Sequence, residues 1–491
     1  MEIESLLGET LRCTPSRIAL DDGVLTLTYR QLAEAVTSEA RFLRAAGGTR
    51  FALLAENGAG WVIADLALHH LRQVNVPLPA FFTPPQQRHA LDDAAIDVLV
   101  TDRKEHVLER WPEFRLLGRS PFSGLHVLQR AVAADARRAV APGVVKITYT
   151  SGSTGEPKGV CLTAATLNCV SRSIATAVAG LGVTRHLCLM PLATLLENIA
   201  GVHASLRAGA GCVLPSRART GIDYGALDPQ KLLGTILRVR PDSLILVPEL
   251  LRVLVRAVQA GHALPSSLKF VAVGGAMVSR ELLAEATQLG LPVFEGYGLS
   301  ECASVACLNT PGSSRLGSVG RPLPHVRIRV DEEGQIRVRG AVMSGYLGDP
   351  VRQEPLEIAT GDLGEIDSDG YVYVRGRLKN VFITSLGRNI SPEWVERELA
   401  HEPEIRHALA HGEARPSVGA LLSPWQPSLD DAAIEHAVRR ANARLPGYAQ
   451  VRHWACMPEA PTFANGLLTA NGRLRRERVL ERFGGLLQSA S

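Results

Sequence analysis

Ser151, Gly152, Ser153, Thr154 and Gly155 follow a short β-rich run through Ile147 and Tyr149, and the stretch closes on Pro157-Lys158-Gly159. Glycines let backbone N–H groups turn inward toward an anion, hydroxyls add donors, and a lysine supplies a mobile point charge. Such a loop suits the phosphates of a nucleotide. The same residues would also serve as a flexible turn between two strands. The string is not a Walker A loop, because Gly-x-x-x-x-Gly-Lys-Ser/Thr is absent. Farther on, Gly274-Gly275-Ala276 ends the apolar run LKFVAV, the kind of strand end where an α/β sheet lets a flat ligand approach the backbone. A simple turn is the other use of a glycine pair.

These residues need a frame. At 491 residues the chain exceeds what one hydrophobic core usually supports, so at least two domains are expected. A formal net charge of +4 leaves no electrostatic footprint for nucleic acid. The eight cysteines are scattered, and the closest pair, Cys302 and Cys307, lacks zinc or redox spacing, which favours free thiols in a reducing cytoplasm. No apolar run has signal-peptide or membrane-spanning length. A cytoplasmic protein without an integral membrane segment is therefore expected.

Up to about residue 140, short apolar runs alternate with helical patterns, as in Thr28-Tyr29-Arg30-Gln31 with its capping-box spacing, then RFALLAEN, GWVIADLALHHL and DVLVTD. Strands separated by such helices predict parallel α/β units. A helical pattern from Ala164 to about Ala179 predicts a helix that starts where the loop ends, its N-terminal dipole facing the phosphates. SLILVPELLRVLVRAV reads as a strand running into an amphipathic helix. LGSVGRPLPHVRIRVDEEGQIRVRGAVMSGYLGD alternates at period two, which predicts a β-rich subdomain. Asp367 to Gly370 reads as a hairpin turn, and Ser391-Pro392-Glu393 as a helix start.

The whole string KITYTSGSTGEPKGVCLT, Lys146 to Thr163, resembles the phosphate loop of the adenylate-forming superfamily of acyl-CoA synthetases, firefly luciferases and peptide-synthetase adenylation domains. A second match is Tyr297-Gly298-Leu299-Ser300-Glu301, where the superfamily has Tyr-Gly-x-Thr-Glu. The resemblance spans essentially the whole chain and implies an α/β fold. Its large N-terminal domain, residues 1–378, would hold packed mixed sheets with helices plus the β-rich subdomain, and 379–491 a small, mobile α+β C-terminal domain. It implies nucleotide binding by Thr150, Ser151, Gly152, Ser153, Thr154, Gly155 and Lys158, by Gly274, Gly275 and Ala276 on the adenine side, and by Gly296, Tyr297 and Gly298. Tyr297 would offer adenine a flat face, Ser300 a hydroxyl to the α-phosphate, and Glu301, with Thr154, oxygen ligands to Mg²⁺. Asp362 matches the aspartate that accepts both ribose hydroxyls, a task needing two acceptor oxygens, and Arg377 the arginine near ribose and phosphates. Lys379 matches the domain hinge, and Gly387 with Arg388 the loop that walls the CoA channel.

Two departures stand out. The usual Pro-Leu-x-His of the pocket wall is here Pro191-Leu192-Ala193-Thr194, leaving Leu195, Glu197 and Asn198 either as pocket lining or as plain core. The superfamily's last motif carries a single catalytic lysine, and this chain has Arg473 there, with no lysine anywhere after Lys379. Arginine keeps the cation but is larger and planar, with a fixed fork of donors, so the exchange reads either as drift or as impaired adenylation. Arg473, Arg475, Arg476 and Arg478 otherwise read as a solvated helix face. The resemblance implies ATP- and Mg²⁺-dependent activation of a small carboxylic acid, a medium or long fatty acid from the wording of Asn-Ile-Ser-Pro-Glu and Gly-Leu-Leu-Thr-x-Asn-Gly, then transfer to CoA. Delivery to a carrier-protein thiol or an amine, or an adenylation-impaired binding protein, are the alternatives.

Overall fold

A computed structural model describes residues 2–133, 136–150, 157–222, 227–350, 356–385, 389–413, 415–469 and 472–487. Two large mixed sheets form the body of the N-terminal domain. In the nine-stranded sheet, Ile18–Asp21, Gly211–Val213, Arg185–Leu187, Ser243–Leu246, Phe270–Val273 and Val293–Tyr297 run parallel in that order. In the eight-stranded sheet the parallel centre is Val98–Thr101, Arg50–Leu54, Val74–Pro77 and Val144–Thr150. Most of these parallel strands are largely buried, Arg50–Leu54 entirely so. The capping box at Thr28 forms and starts the helix Tyr29–Ala45, whose Leu32, Val36 and Leu43 enter the same core as Trp61 and Ile63 of the helix Ala59–Leu71.

The β-rich stretch folds as expected into an antiparallel four-stranded sheet, Val326–Val330, Gln335–Gly340, Glu357–Ile366 and Val372–Arg377. Its last hairpin turns through Asp367 to Gly370, closed by the Gly370 N–H on the Asp367 carbonyl at 3.0 Å. Beyond it lies the smaller C-terminal domain. Its three-stranded sheet, Ile405–His411, Val418–Pro424 and Val451–Cys456, packs against the helices Pro392–Ala400 and Asp431–Asn442 around Val395, Leu399, Ile434 and Val438. This is the expected α/β fold of a large and a small domain. The helix Pro392–Ala400 starts with proline at its first position as read from the sequence. Among the described residues, no helix is long and apolar enough to cross a membrane.

One expectation fails. The helix Ala164–Val178 exists, but Lys158–Thr163 is a strand before it, antiparallel to Val144–Thr150 with Thr150 opposite Lys158 and Thr163 near Val144. Six residues of strand at about 3.3 Å each carry the chain roughly 20 Å from the loop before the helix begins. Its N-terminus, capped by the Thr163 side chain, is therefore at the far end of the hairpin and its dipole does not reach the phosphate site.

Candidate active site

The phosphate-loop hairpin places Thr150 and Lys158 side by side at its mouth. Ser151, Gly152, Ser153, Thr154 and Gly155 lie outside the described residues, as do Gly387 and Arg388. Pro157, just beyond the loop, is held from the helix Pro84–Asp93 by a 3.0 Å hydrogen bond between its carbonyl and His89 Nε2. Tyr149 of the incoming strand donates to Asp93 of the same helix at 2.8 Å.

Across from the loop, Phe270–Val273 and Val293–Tyr297 end together. A Cβ on Gly274 would lie 2.9 Å from the Gly296 carbonyl oxygen, so the neighbouring strands approach too closely there for a side chain. Gly275 has φ +79°, a left-handed conformation that glycine adopts without strain, and it is exposed, with Ala276 half-buried beside it. Gly298 allows the turn after Tyr297 to close, since a Cβ there would stand 1.6 Å from the Ser304 carbonyl oxygen. Ser300 and Glu301 begin the short 3₁₀ turn Ser300–Cys302.

A residue that the sequence reading passed over joins the two motifs. Tyr346 donates its hydroxyl to Glu301 Oε1 at 2.9 Å, while Lys158 Nζ sits 5.5 Å above the centre of its ring. The short strand Gly345–Tyr346 reaches this place by pairing with the edge of Lys158–Thr163, Tyr346 opposite Val160. Burial and the Glu301 charge raise the Tyr346 pKa, keeping the phenol a proton donor. Its position, distant in sequence from both motifs, is what hid it, and the two-residue strand gives no periodic signal.

Asp362 is buried and also doubly held. Arg377 Nε lies 2.7 Å from Oδ1, and Tyr297 donates its hydroxyl to Oδ2 at 2.6 Å. Burial raises the Asp362 pKa, with Arg377 pulling the other way. Each carboxylate oxygen offers two lone pairs, so one acceptor site per oxygen remains beyond these bonds. The bond to Asp362 fixes the Tyr297 ring from its far end.

Arg473 comes from the small domain into this cluster. It lies at a tight turn in which Thr469 N–H donates to the Arg473 carbonyl at 2.7 Å and Arg473 N–H donates to Thr469 Oγ1 at 3.1 Å. The side chain keeps solvent-accessible surface, yet dense protein around it, together with the Arg377 charge, lowers its pKa while Asp362 raises it. Arg473 thus lies near enough to Arg377 and Asp362 for its charge to act on both. Of the other arginines, Arg478 is exposed on the helix Arg476–Phe483 as expected, whereas Arg475 and Arg476 are engaged by protein rather than solvated. The helix begins only at Arg476, and Arg476 pairs with Glu396 and donates to the Ala410 carbonyl, while Arg475 Nε donates to the Leu468 carbonyl.

The pocket-wall alternative resolves toward core for the polar residues. Leu196–His203 is a π-helical segment in which Glu197 and Asn198 point inward. Glu197 receives the N–H groups of Leu189 and Met190 at 3.2 and 2.8 Å and pairs with His186 at 2.9 Å. Asn198 bonds Asp65 and Lys146, and Leu195 is buried. Leu196, with Val247, is what faces Gly275, their methyls 3.6 and 3.7 Å from where a Cβ would stand. Lys379 is exposed in the 3₁₀ turn Leu378–Asn380 that joins the last strand of the β-rich sheet to the small domain.

Comparison with known families agrees with this geometry. The model described as AMP-binding enzyme matches residues 7–347, and that described as AMP-binding enzyme C-terminal domain matches 379–490. The chain belongs to the AMP-binding enzyme family. Among curated members, it is 31% identical to a feruloyl-CoA synthase of Amycolatopsis, over 96% of this chain and 97% of that one. It is 26% identical to the long-chain-fatty-acid–CoA ligase FadD15 of Mycobacterium bovis, over 96% and 93%. The crystal structure of the anthranilate CoA ligase AuaEII in complex with anthranoyl-AMP superposes with a TM-score of 0.82 at 21% identity, covering 98% of this chain and 96% of that one. The AMP-binding fold accounts for the two large sheets, the β-rich sheet and the small domain.

Proposed function

We propose that this AMP-binding enzyme activates a carboxylic acid with ATP and passes the acyl group to CoA. The observations that support the reading are two clusters, Lys158 and Glu301 joined by Tyr346, and Asp362 held by Tyr297 and Arg377 with the charge of Arg473 reaching it from the other domain. The substrate carboxylate attacks the α-phosphorus of ATP, the bond to the bridging oxygen of the β-phosphate breaks, and pyrophosphate leaves an acyl-AMP. The thiol of CoA then attacks the acyl carbon, AMP departs, and the thiol proton goes to solvent. Asp362 binds the ribose hydroxyls through its remaining lone pairs, Tyr297 stacks on adenine beside Gly274 to Ala276, and Ser300 donates to the α-phosphate. Lys158 and the loop from Thr150 hold the outer phosphates, and Arg473 neutralises charge between the carboxylate and the α-phosphate. Tyr346 occupies one lone pair of the Glu301 carboxylate and leaves the hard-oxygen capacity that Mg²⁺ requires, with Thr154 as a further ligand. Mg²⁺ so held would neutralise phosphate charge. Lys379 serves as hinge between the domains 1–378 and 379–491, with Gly387 and Arg388 along the CoA channel.

The acid we propose is a medium- or long-chain fatty acid, supported by the sequence wording and by the fatty-acid ligase among the relatives. The feruloyl-CoA synthase makes an aromatic acid the competing substrate class. The test follows pyrophosphate, acyl-AMP and acyl-CoA by mass spectrometry, for the native chain and Arg473→Lys, with graded fatty acids and hydroxycinnamic acids. Fatty acyl-CoA from the native chain supports the reading. Turnover with aromatic acids only, or transfer to a carrier-protein thiol or an amine but not CoA, overturns its finer part. A native chain as fast as Arg473→Lys shows that arginine serves as well as lysine. Adenylate from the lysine variant only identifies a chain detuned in its first half-reaction, consistent with the misplacement of reacting atoms by about 1 Å that can cost on the order of 100-fold.

A further inference from the structure

The helix Pro248–Gln259 of the large domain presents Arg252 and Arg256 one turn apart, on the face turned to the small domain. Two cations at this spacing repel each other on a helix. Burial and the Arg256 charge accordingly lower the Arg252 pKa to about 10. What they meet explains their pairing. Arg252 donates to the Ala400 carbonyl, the last residue of the small-domain helix Pro392–Ala400, and Arg256 Nη2 donates to the Pro403 carbonyl at 3.0 Å. The final carbonyls of a helix lack intrahelical donors and carry the negative end of its dipole. Arg252 thus caps another helix across the domain boundary, and Arg256 binds the turn that follows that helix.

The same face has two further contacts. Arg256 stacks over the Trp425 ring at 4.5 Å, and Arg406 over the same ring at 5.1 Å, both within cation–π range. Arg406 in turn reaches Glu249 Oε1 at 3.3 Å. The other oxygen of Glu249 lies 2.8 Å from where a Cβ on Gly472 would stand, so the turn that carries Arg473 rests on this helix. All of these contacts except that of Arg406 with Trp425, which lies within the small domain, depend on the present arrangement of the two domains. A rotation about Lys379 would break them together.

We propose that Arg252 and Arg256 are positioning residues for the adenylation half-reaction, holding the small domain in the pose that brings Arg473 near Asp362 and Arg377. This rests on the function proposed above. They touch neither nucleotide nor acid, and transfer of the acyl group to CoA, which uses the other pose, does not need them. The charge-assisted bonds to carbonyls are lost in Arg252→Ala/Arg256→Ala, which shifts the domain equilibrium away from the pose they hold.

The full-length native chain and this double variant are assayed for pyrophosphate release from ATP, Mg²⁺ and fatty acid. Both are assayed separately for thioester formation from preformed acyl-AMP and CoA. The expected result is a roughly tenfold slower first step, with the second within about twofold of native or faster. Arg252→Lys/Arg256→Lys, which keeps charge but not the fork, falls between. Equal loss in both half-reactions, or no change in either, overturns the proposal. Domain pose is read independently of turnover by energy transfer between dyes at Gln288→Cys and His436→Cys, both exposed, in a chain without its exposed Cys13 and Cys169. The alanine variant broadens or shifts the distance distribution. An unchanged distribution overturns the clasp even if the native chain proves inactive on every acid. A native chain inactive in both half-reactions whose distribution does shift in the variant removes the proposed function and leaves the clasp standing.

Discussion

Tyr346 carries the tightest prediction at the level of single residues. Tyr346→Phe keeps the ring beneath Lys158 and removes only the hydroxyl bond to Glu301. One hydrogen bond to a charged group is worth about 1.5–3 kcal/mol, so pyrophosphate release should slow by roughly 10- to 100-fold at limiting Mg²⁺. On the proposed function, in which Glu301 holds Mg²⁺, the loss should shrink as Mg²⁺ is raised. A titration of initial rate against Mg²⁺ measures this, and a loss independent of Mg²⁺ would assign Tyr346 another part. The neighbouring motifs showed by resemblance because they stand in runs of adjacent residues, as in Tyr297 to Glu301. Tyr346 did not, because its partners are brought to it by strand pairing. Likewise Asp362 was singled out by the family resemblance, whereas its bonds to Tyr297 and Arg377 could not be read from the sequence.

The strand Val144–Thr150 shows how elements support the site from beneath. Lys146, fully buried on that strand, pairs with Asp65 of the helix Ala59–Leu71 at 2.7 Å and also bonds Asn198 of the π-helical segment. Asn75 and His203 donate to the same aspartate at 2.7 and 3.2 Å. Four elements, the strand Val74–Pro77 of Asn75 included, are thus pinned behind the phosphate loop by one ionic cluster. Removing one partner of a buried pair leaves an uncompensated charge, so Lys146→Met should destabilise by about 3–5 kcal/mol in urea unfolding. Lys146, with His203, holds the Asp65 pKa far below the ordinary carboxylate range against the opposing effect of burial. With the folded pKa below the unfolded one, this stabilisation is present above about pH 4 and is lost only as pH falls well below the carboxylate range. Strand and helix identities in this region followed from apolar runs and the Thr28 capping box. The start of the helix Ala164–Val178 was foreseen but its distance from the loop was not, because KGVCLT is too short and too buried to show alternation, and a fully buried strand has no period of two to read.

At the scale of the whole molecule, the two domains meet through more than the arginine clasp. Glu295 is buried on the strand that ends in Tyr297, and the charge it feels most is that of Arg397 on the small-domain helix Pro392–Ala400. Burial pushes the Glu295 carboxyl up to about 8, outweighing Arg397 and the Val278 N–H, which both act to lower it. A carboxyl whose folded pKa lies above its unfolded value holds more protons folded than unfolded. Its contribution to stability is full below about pH 4.5 and declines as pH rises toward 8. The gap of about 3.5 units corresponds to a few kcal/mol at most, at about 1.4 kcal/mol per unit. Glu295→Gln keeps the shape without the proton, so its thermal stability should vary less between pH 5 and 8 than that of the native chain, and the curves should separate progressively on the alkaline side.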